Sequence, residues 1–200
     1  MADVPDLYPG EPPSVRLMNT VWADRSGVHD SLLTTGQLAA WWSLIGFEPA
    51  VPATDDALGQ YRQLRGALRR LAAQATDDSR GRTRVDETSL EDALAMVNAW
   101  LASGSPNLRW DAGTGFVLAW AEPASKSVQD HLASLAREGA QLLTVPDAKL
   151  RACYGPGCVL YFVREHSRRE WCSPGCGNRA RVARHYRRVR SGEGGTVAAE

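Results

Sequence analysis

The chain has 200 residues, of which 44% are hydrophobic and 23% are charged, and its 23 basic side chains balance its 23 acidic ones. This length can bury one good core and a small satellite, and the composition is that of a folded globular protein rather than a disordered chain. No apolar run approaches the roughly twenty residues that span a bilayer, and no secretory signal precedes the cysteines, so we expect a cytoplasmic protein without a membrane partner.

The N-terminal part predicts a loose start followed by two short elements. Residues 1–14 contain four prolines and several acidic side chains, which predicts a flexible arm. Residues 15–22, VRLMNTVW, predict a short strand. Residues 37–45 predict a short apolar helix that contains the adjacent Trp41 and Trp42. Because neighbouring side chains cannot share one helical stripe, we expect one of the two to line a groove or to contact the next helix, although burial in the core is favoured.

Three longer helices and one hairpin follow. Residues 54–74 give the clearest helix, because five apolar side chains recur at three- and four-residue steps: Leu58, Tyr61, Leu64, Leu68 and Leu71. A Thr-Ser-Leu-Glu capping box predicts the start of a helix over residues 88–102, and apolar periodicity predicts another over residues 125–143. Strand-like runs at residues 108–110 and 116–120 flank a glycine-containing loop, which predicts a β-hairpin.

The cysteines form two close pairs near the C-terminus. A Cys-x4-Cys pair is followed, after thirteen residues, by a Cys-x3-Cys pair, made of Cys153, Cys158, Cys172 and Cys176. Two such knuckles supply the four thiolates of a tetrahedral Zn²⁺ site. Two disulfides are the alternative, and a reducing cytosol disfavours them. We therefore predict one structural zinc ion held by the four cysteines.

The elements around the cysteines complete the predicted fold. Residues 159–163 predict a strand, and Ser173 with Pro174 predicts the start of a helix. The sequence thus predicts an α+β, predominantly helical fold, with a body at residues 15–146 and a small zinc-ribbon or treble-clef-like finger at residues 147–190 that ends in a basic helix. Residues 191–200 predict a disordered tail. The finger is too small for a core of its own, so we expect loss of a cysteine to unfold the finger and spare the body.

Charge is distributed unevenly along the chain. Residues 149–190 carry eleven Lys and Arg against two acids, a net charge of +9, whereas residues 1–148 carry −7. An acidic body with a basic end is typical of a nucleic-acid-binding protein. The last helix contains six arginines in twelve residues, and its apolar Val182, Tyr186 and Val189 could face the strands or a partner.

Six residues of this helix are candidates for DNA contact: Asn178, Arg179, Arg181, Arg184, Arg187 and Arg188. Asn178 and Arg179 lie in its first turn and are the residue types that pair bidentately with adenine and guanine. A structural role is an equal alternative, in which Asn178 braces the knuckle and Arg179 pairs with Glu170. The arginines could also be a solvated face.

The stretch Cys176-Gly177-Asn178-Arg179, preceded by Arg-Glu-Trp-Cys-Ser at residues 169–173, resembles the CGNR zinc finger, which is named after that tetrapeptide. The Leu-x-Asn-Thr segment at residues 17–20 is similar to the start of the ABATE domain that precedes this finger in the family. The resemblance implies a stress-induced transcription regulator with a ligand-sensing body. The body residues that could take an effector are Asn19, Thr20, Trp41 and Arg65.

The predicted function is therefore that of a zinc-dependent, DNA-binding transcription regulator. An RNA-binding or protein-interaction module with a purely structural zinc finger is the alternative. A small-molecule effector and a homodimer are further expectations. We do not expect an enzyme, since no nucleophile, base and orienting acid form a recognisable motif in the body.

Overall fold

The computed structural model describes residues 4–81, 88–103, 107–111, 113, 115–119, 126–144 and 149–191. In these ranges the chain forms six helices: α1 Pro13–Met18, α2 Thr35–Leu44, α3 Asp55–Ala75, α4 Leu90–Ser103, α5 Val128–Thr144 and α6 Pro174–Arg190. It also forms three antiparallel two-stranded ribbons: β1 Val21–Ala23 with β2 Val28–Asp30, β3 Asn107–Asp111 with β4 Gly115–Ala119, and β5 Leu150–Ala152 with β6 Tyr161–Val163. The predicted α+β, mostly helical class is confirmed.

Helix α3 is the centre of the body. Thr54 caps its N-terminus by accepting a hydrogen bond from the Ala57 backbone N–H at 3.1 Å. Its apolar row packs against α4, α5 and α1. At Gly139 of α5 an added Cβ would lie 2.5 Å from Leu68 Cδ2, so the absent side chain is what lets α3 and α5 approach. Burying each large apolar side chain contributes roughly 1.5–3 kcal/mol, and these contacts hold the body together.

Both tryptophans of α2 are buried in this core, as the sequence favoured, and both contact the next helix, α3, through Tyr61. Trp41 meets the Tyr61 ring edge-on at 5.7 Å, and Trp42 meets the rings of both Tyr61 and Phe47 at 5.7 Å. The buried side chains of α2, Leu38, Trp41 and Trp42, follow the i, i+3, i+4 spacing of one broad helical stripe, which has room for both indoles. Thr34 and Gln37 form a capping box that fixes its start.

The N-terminal segment differs from its prediction. Residues 15–22 are not one strand, because α1 occupies the first half of this segment and only Val21 onward is extended. Pro13 stands at the first helical position, where its missing N–H costs nothing. Residues 4–14, expected to form a loose arm, pack on the molecule, with Val4, Glu11 and Ser14 buried.

The hairpin predicted around residues 111–115 is confirmed. Strands β3 and β4 pair antiparallel, with Trp110 opposite Phe116 and Asp111 opposite Gly115. Residues 192–200 of the predicted tail and residues 82–87 lie outside the described residues. Among the helices that the structure describes, none combines the length and the apolar character needed to cross a membrane.

One strand belongs to two hydrophobic cores. Tyr161 and Val163 of β6 are buried in the core of the helical body, together with Leu150 and Ala152 of β5. Phe162 points the other way and packs with the four cysteines. Successive side chains of a strand point to opposite faces, so β6 has the body on one face and the cysteine cluster on the other.

Candidate metal centre

The four cysteine sulfurs lie together in a buried cluster. The Sγ atoms of Cys153, Cys158, Cys172 and Cys176 are all within 4.8 Å of one another, and all four thiols are free. The Cys158 and Cys172 sulfurs are 3.8 Å apart, and those of Cys172 and Cys176 are 3.3 Å apart. A tetrahedral Zn²⁺ with Zn–S bonds of about 2.3 Å places its sulfurs roughly 3.8 Å apart. The cluster therefore fits a zinc ion without rearrangement of the chain.

The first knuckle depends on two glycines. The Cys158 N–H donates to the Gly155 carbonyl at 2.8 Å, which closes the turn between the first two cysteines. Gly157 has a φ of +75°, a backbone conformation that side chains disfavour. At Gly155 an added Cβ would lie 2.7 Å from the Cys176 Cβ, so this position has no room for a side chain.

The second knuckle is the start of α6. The Ser173 hydroxyl accepts a hydrogen bond from the Cys176 N–H at 3.2 Å, and Pro174 occupies the first helical turn, as the sequence predicted. At Gly177 an added Cβ would lie 3.0 Å from Trp171 Cδ1, so the missing side chain lets the indole pack on the helix. The metal cluster thus fixes the N-terminus of the basic helix.

Hydrogen bonds among the sulfurs push their pKa values in opposite directions. They lower the pKa of Cys153 to about 7 and that of Cys176 far below its ordinary value. They raise the pKa values of Cys158 and Cys172. A divalent ion would displace the protons from all four sulfurs.

Two donors from the protein contact the sulfurs. The Cys172 N–H donates to Cys153 Sγ at 3.4 Å, and the Arg179 guanidinium donates through Nη2 to Cys176 Sγ at 2.9 Å. Hydrogen bonds of this kind orient metal ligands and offset their charge.

Arg80 ties the first knuckle to the body. Its Nη1 donates to the carbonyls of Cys153 at 2.8 Å and Leu160 at 3.0 Å, and its Nη2 pairs with Asp78 at 2.7 Å. Burial raises the pKa of Asp78, but the hydrogen bonds and charge of Arg80 outweigh it and lower the pKa overall. Arg80 lies in a polar stretch of the sequence, and no local pattern distinguishes it from a surface arginine.

Asn19 ties β6 to the body. Its Nδ2 donates to the Tyr161 carbonyl at 2.9 Å, and its Oδ1 accepts from the Tyr161 N–H at 2.9 Å. The amide thereby continues the strand pairing that a neighbouring backbone would supply. Nearby, Glu11 accepts from the Val163 N–H at 2.8 Å and pairs with Arg169. Burial raises the pKa of Glu11 despite these partners.

Three of the four proposed effector residues meet at one place. Asn19, Thr20 and Trp41 line a small surface depression that has room for about one water molecule. Arg16 and Leu44 complete one side of this depression. Arg65 does not line the depression: it is fully buried, donates to Thr20 Oγ1 at 3.1 Å and holds both oxygens of Asp30, at 2.6 and 2.7 Å.

The six candidate DNA-contacting residues of α6 are all exposed. At 100° per residue, Arg181, Arg184, Arg187 and Arg188 share one face, which spans about 120° of the helix. We call these four residues the arginine face. Val182, Tyr186 and Val189 are exposed on the opposite side and do not pack on the strands. The side chain of Asn178 accepts a hydrogen bond from Arg181, and that of Arg179 is bonded to the cysteine cluster.

Two family models match the chain. Residues 11–146 match the ABATE family, described as "Putative stress-induced transcription regulator". Residues 149–189 match the CGNR zinc finger. No curated protein matches the chain. The matched finger and the geometry of its four cysteines agree on one structural zinc ion.

Proposed function

The chain belongs to the ABATE family and carries a CGNR zinc finger, and from this membership we propose that it is a transcription regulator whose basic C-terminal helix binds duplex DNA. The observation that supports this most is the arginine face, which is exposed on a helix that the metal cluster anchors at its first turn. Regulation of transcription requires contact with DNA or with the proteins that transcribe it, and the arginine face is suited to contact with DNA.

The dimensions of α6 suit the major groove of DNA. Its 17 residues span about 25 Å, and the groove is about 12 Å wide, enough for one helix. Four exposed arginines within eight residues can reach phosphates on both sides of the groove. The net charge of +9 on residues 149–190 attracts the duplex, while the acidic body is repelled from it.

Duplex DNA is favoured over the alternative partners by the shape of this surface. Single-stranded RNA is recognised mainly by aromatic side chains on which bases stack. The aromatic side chains of α6 are His185 and Tyr186, which contact each other, and neither belongs to the arginine face. A rigid helix with a long basic face is the form that grooves of a duplex accept.

The test is a titration of the zinc-loaded protein with duplex DNA at increasing salt. The logarithm of the binding constant should fall linearly with the logarithm of salt, and replacing any one residue of the arginine face by alanine should reduce the slope by about 0.9. Arg25→Ala is the matched control, since Arg25 is exposed on the body. If competitor single-stranded RNA displaces the duplex, or if the slope is near zero, the RNA-binding or protein-interaction function replaces this proposal.

We propose that a molecule sensed by the body would bind at the depression lined by Asn19, Thr20 and Trp41, which must widen to admit anything larger than water. Asn19 is also bonded to Tyr161 of β6, so a molecule that moves this amide would disturb the strand that carries the finger. A thermal-shift screen of small metabolites would find such a molecule. Leu44→Gln should abolish its shift, because Leu44 lines the depression, whereas Leu33→Gln at an exposed site should not.

A further inference from the structure

We infer that Arg179 is a positioning residue of the metal centre and does not contact DNA: its guanidinium offsets the negative charge of the four metal-bound thiolates through Cys176. This inference rests on the cysteine cluster and does not require that the protein binds DNA. It assigns a role to the last residue of the Cys-Gly-Asn-Arg tetrapeptide.

The geometry brings Arg179 to the cluster. Its Nη2 lies 2.9 Å from Cys176 Sγ, and the two residues are three positions apart on the first turn of α6. Residues at this spacing lie one above the other on a helix, so the contact needs no distortion of the backbone. Among the residues that the structure describes, no carboxylate forms an ion pair with Arg179.

The charge of the centre calls for such a partner. Four thiolates and one Zn²⁺ carry a net charge of −2, and the sulfurs are buried. A buried charge that has no counter-charge is costly. Arg80 also lies close, on the carbonyls of Cys153 and Leu160, but Asp78 already neutralises it. Arg179 brings a positive charge that is free to serve the sulfurs.

The direction of Arg179 on the helix separates it from the arginine face. At 100° per residue it lies roughly 150° away from the centre of that face, on the side of Val182 and Tyr186. Asn178 differs from Arg179 in this respect. Its side chain accepts a hydrogen bond from Arg181, which belongs to the arginine face. A groove that receives the arginine face would therefore leave Arg179 on the far side.

The experiment compares Arg179→Gln and Arg179→Lys with Arg181→Gln, a matched control two residues along the same helix. The full-length zinc protein is titrated with a chromogenic chelator. We expect Arg179→Gln to lower the zinc affinity about 10–100-fold, Arg179→Lys to recover most of it, and Arg181→Gln to leave it unchanged. In the cobalt-substituted protein, Arg179→Gln should also shift the thiolate-to-cobalt charge-transfer band.

The same variants are then titrated with duplex DNA at saturating zinc. Arg181→Gln should reduce the salt slope by about 0.9, and Arg179→Gln should leave it unchanged. Wild-type zinc affinity in Arg179→Gln, or a reduced slope in that variant, would overturn the inference. If Arg179→Gln does not fold with zinc, the zinc affinity of Arg179→Lys provides the test. An affinity of Arg179→Lys as low as that of a cysteine variant would contradict a role for the positive charge of residue 179. If the wild type does not bind DNA, the proposed function fails, but the chelator titration still tests Arg179.

Discussion

Asn19 and Tyr161 are 142 positions apart in the sequence, and they exchange two hydrogen bonds of 2.9 Å between the Asn19 amide and the Tyr161 backbone. Each bond is of the kind that joins neighbouring strands, so the start of the body and the metal-binding segment are paired like parts of one sheet. Both residues are buried, and neither bond can be replaced by water at no cost.

Loss of the metal should destabilise the whole molecule. The finger was expected to unfold alone, but β6 is shared by both cores, so Cys172→Ser should lower the urea midpoint of the body as well. Near-ultraviolet circular dichroism reports mainly the body, which holds six of the seven tryptophans, and far-ultraviolet dichroism reports all helices. Arg187→Ala on the exposed part of α6 should change neither midpoint. A body transition that stays at the wild-type midpoint in Cys172→Ser would show that the two parts fold separately.

Arg80→Ala should cost about 3–5 kcal/mol of unfolding free energy, because it leaves the fully buried Asp78 carboxylate with its Tyr161 hydroxyl partner but without a counter-charge. Adding Asp78→Asn to Arg80→Ala should recover part of this loss, since the uncompensated charge is removed. Urea denaturation of the two single variants and the double variant measures the coupling. Arg62→Ala, at an exposed site of α3, should stay within about 0.5 kcal/mol of wild type. Additive effects of the two changes would argue against a coupled pair.

His131 should make the protein less stable in acid. Burial lowers its pKa from 6.5 to about 4, and its Nδ1 is hydrogen-bonded to the Tyr61 hydroxyl. Between these two values the unfolded chain binds the proton and the folded chain does not, so stability is full above pH 6.5 and falls as the pH drops towards 4. The loss from this group alone is about 3 kcal/mol.

The measurement is the urea midpoint of wild type and His131→Gln between pH 7 and 4. The variant should lose less stability over that range, whereas His185→Gln, at an exposed position of α6, should follow the wild type. Parallel pH curves for wild type and His131→Gln would rule out the buried histidine as the source.

Gly155→Ala should weaken zinc binding, because the new methyl group would lie 2.7 Å from the Cys176 Cβ and 3.0 Å from its sulfur. The first knuckle must then shift away from the second, which spoils the tetrahedral arrangement of the four ligands. Competition with a chelator measures the effect. Gly59→Ala in α3 is the matched control: it meets nothing within 4 Å and should stabilise the protein by up to about 1 kcal/mol. Equal zinc affinity in Gly155→Ala and wild type would show that the first knuckle accommodates the methyl group without displacing the four ligands.

The metal centre could be predicted from the sequence because its signals are local. Each cysteine pair lies within six residues, and Ser173 and Pro174 act within the first turn of α6; the structure places each as expected. The long helix α3 was equally readable, since its apolar row follows the helical period over 21 residues.

The attachment of the finger to the body could not be predicted in this way. Asn19, Arg80 and Glu11 each bind backbone groups that lie far away in the sequence, and nothing in their neighbours shows it. The prediction for the start of the chain was wrong for another reason. Residues 15–22 mix β-branched and helix-favouring side chains, and the Pro12-Pro13 pair that precedes them favours the start of a helix.

Strand β6 also bears on how such a chain can be divided or recombined. A fragment that begins at Leu150 would expose the apolar side chains of Tyr161 and Val163 to solvent. A body that ends before Leu150 would lack part of its hydrophobic core. A graft of this finger onto a foreign protein would therefore have to include body residues that cover Tyr161 and Val163. Neither part of this chain has a complete hydrophobic core in isolation.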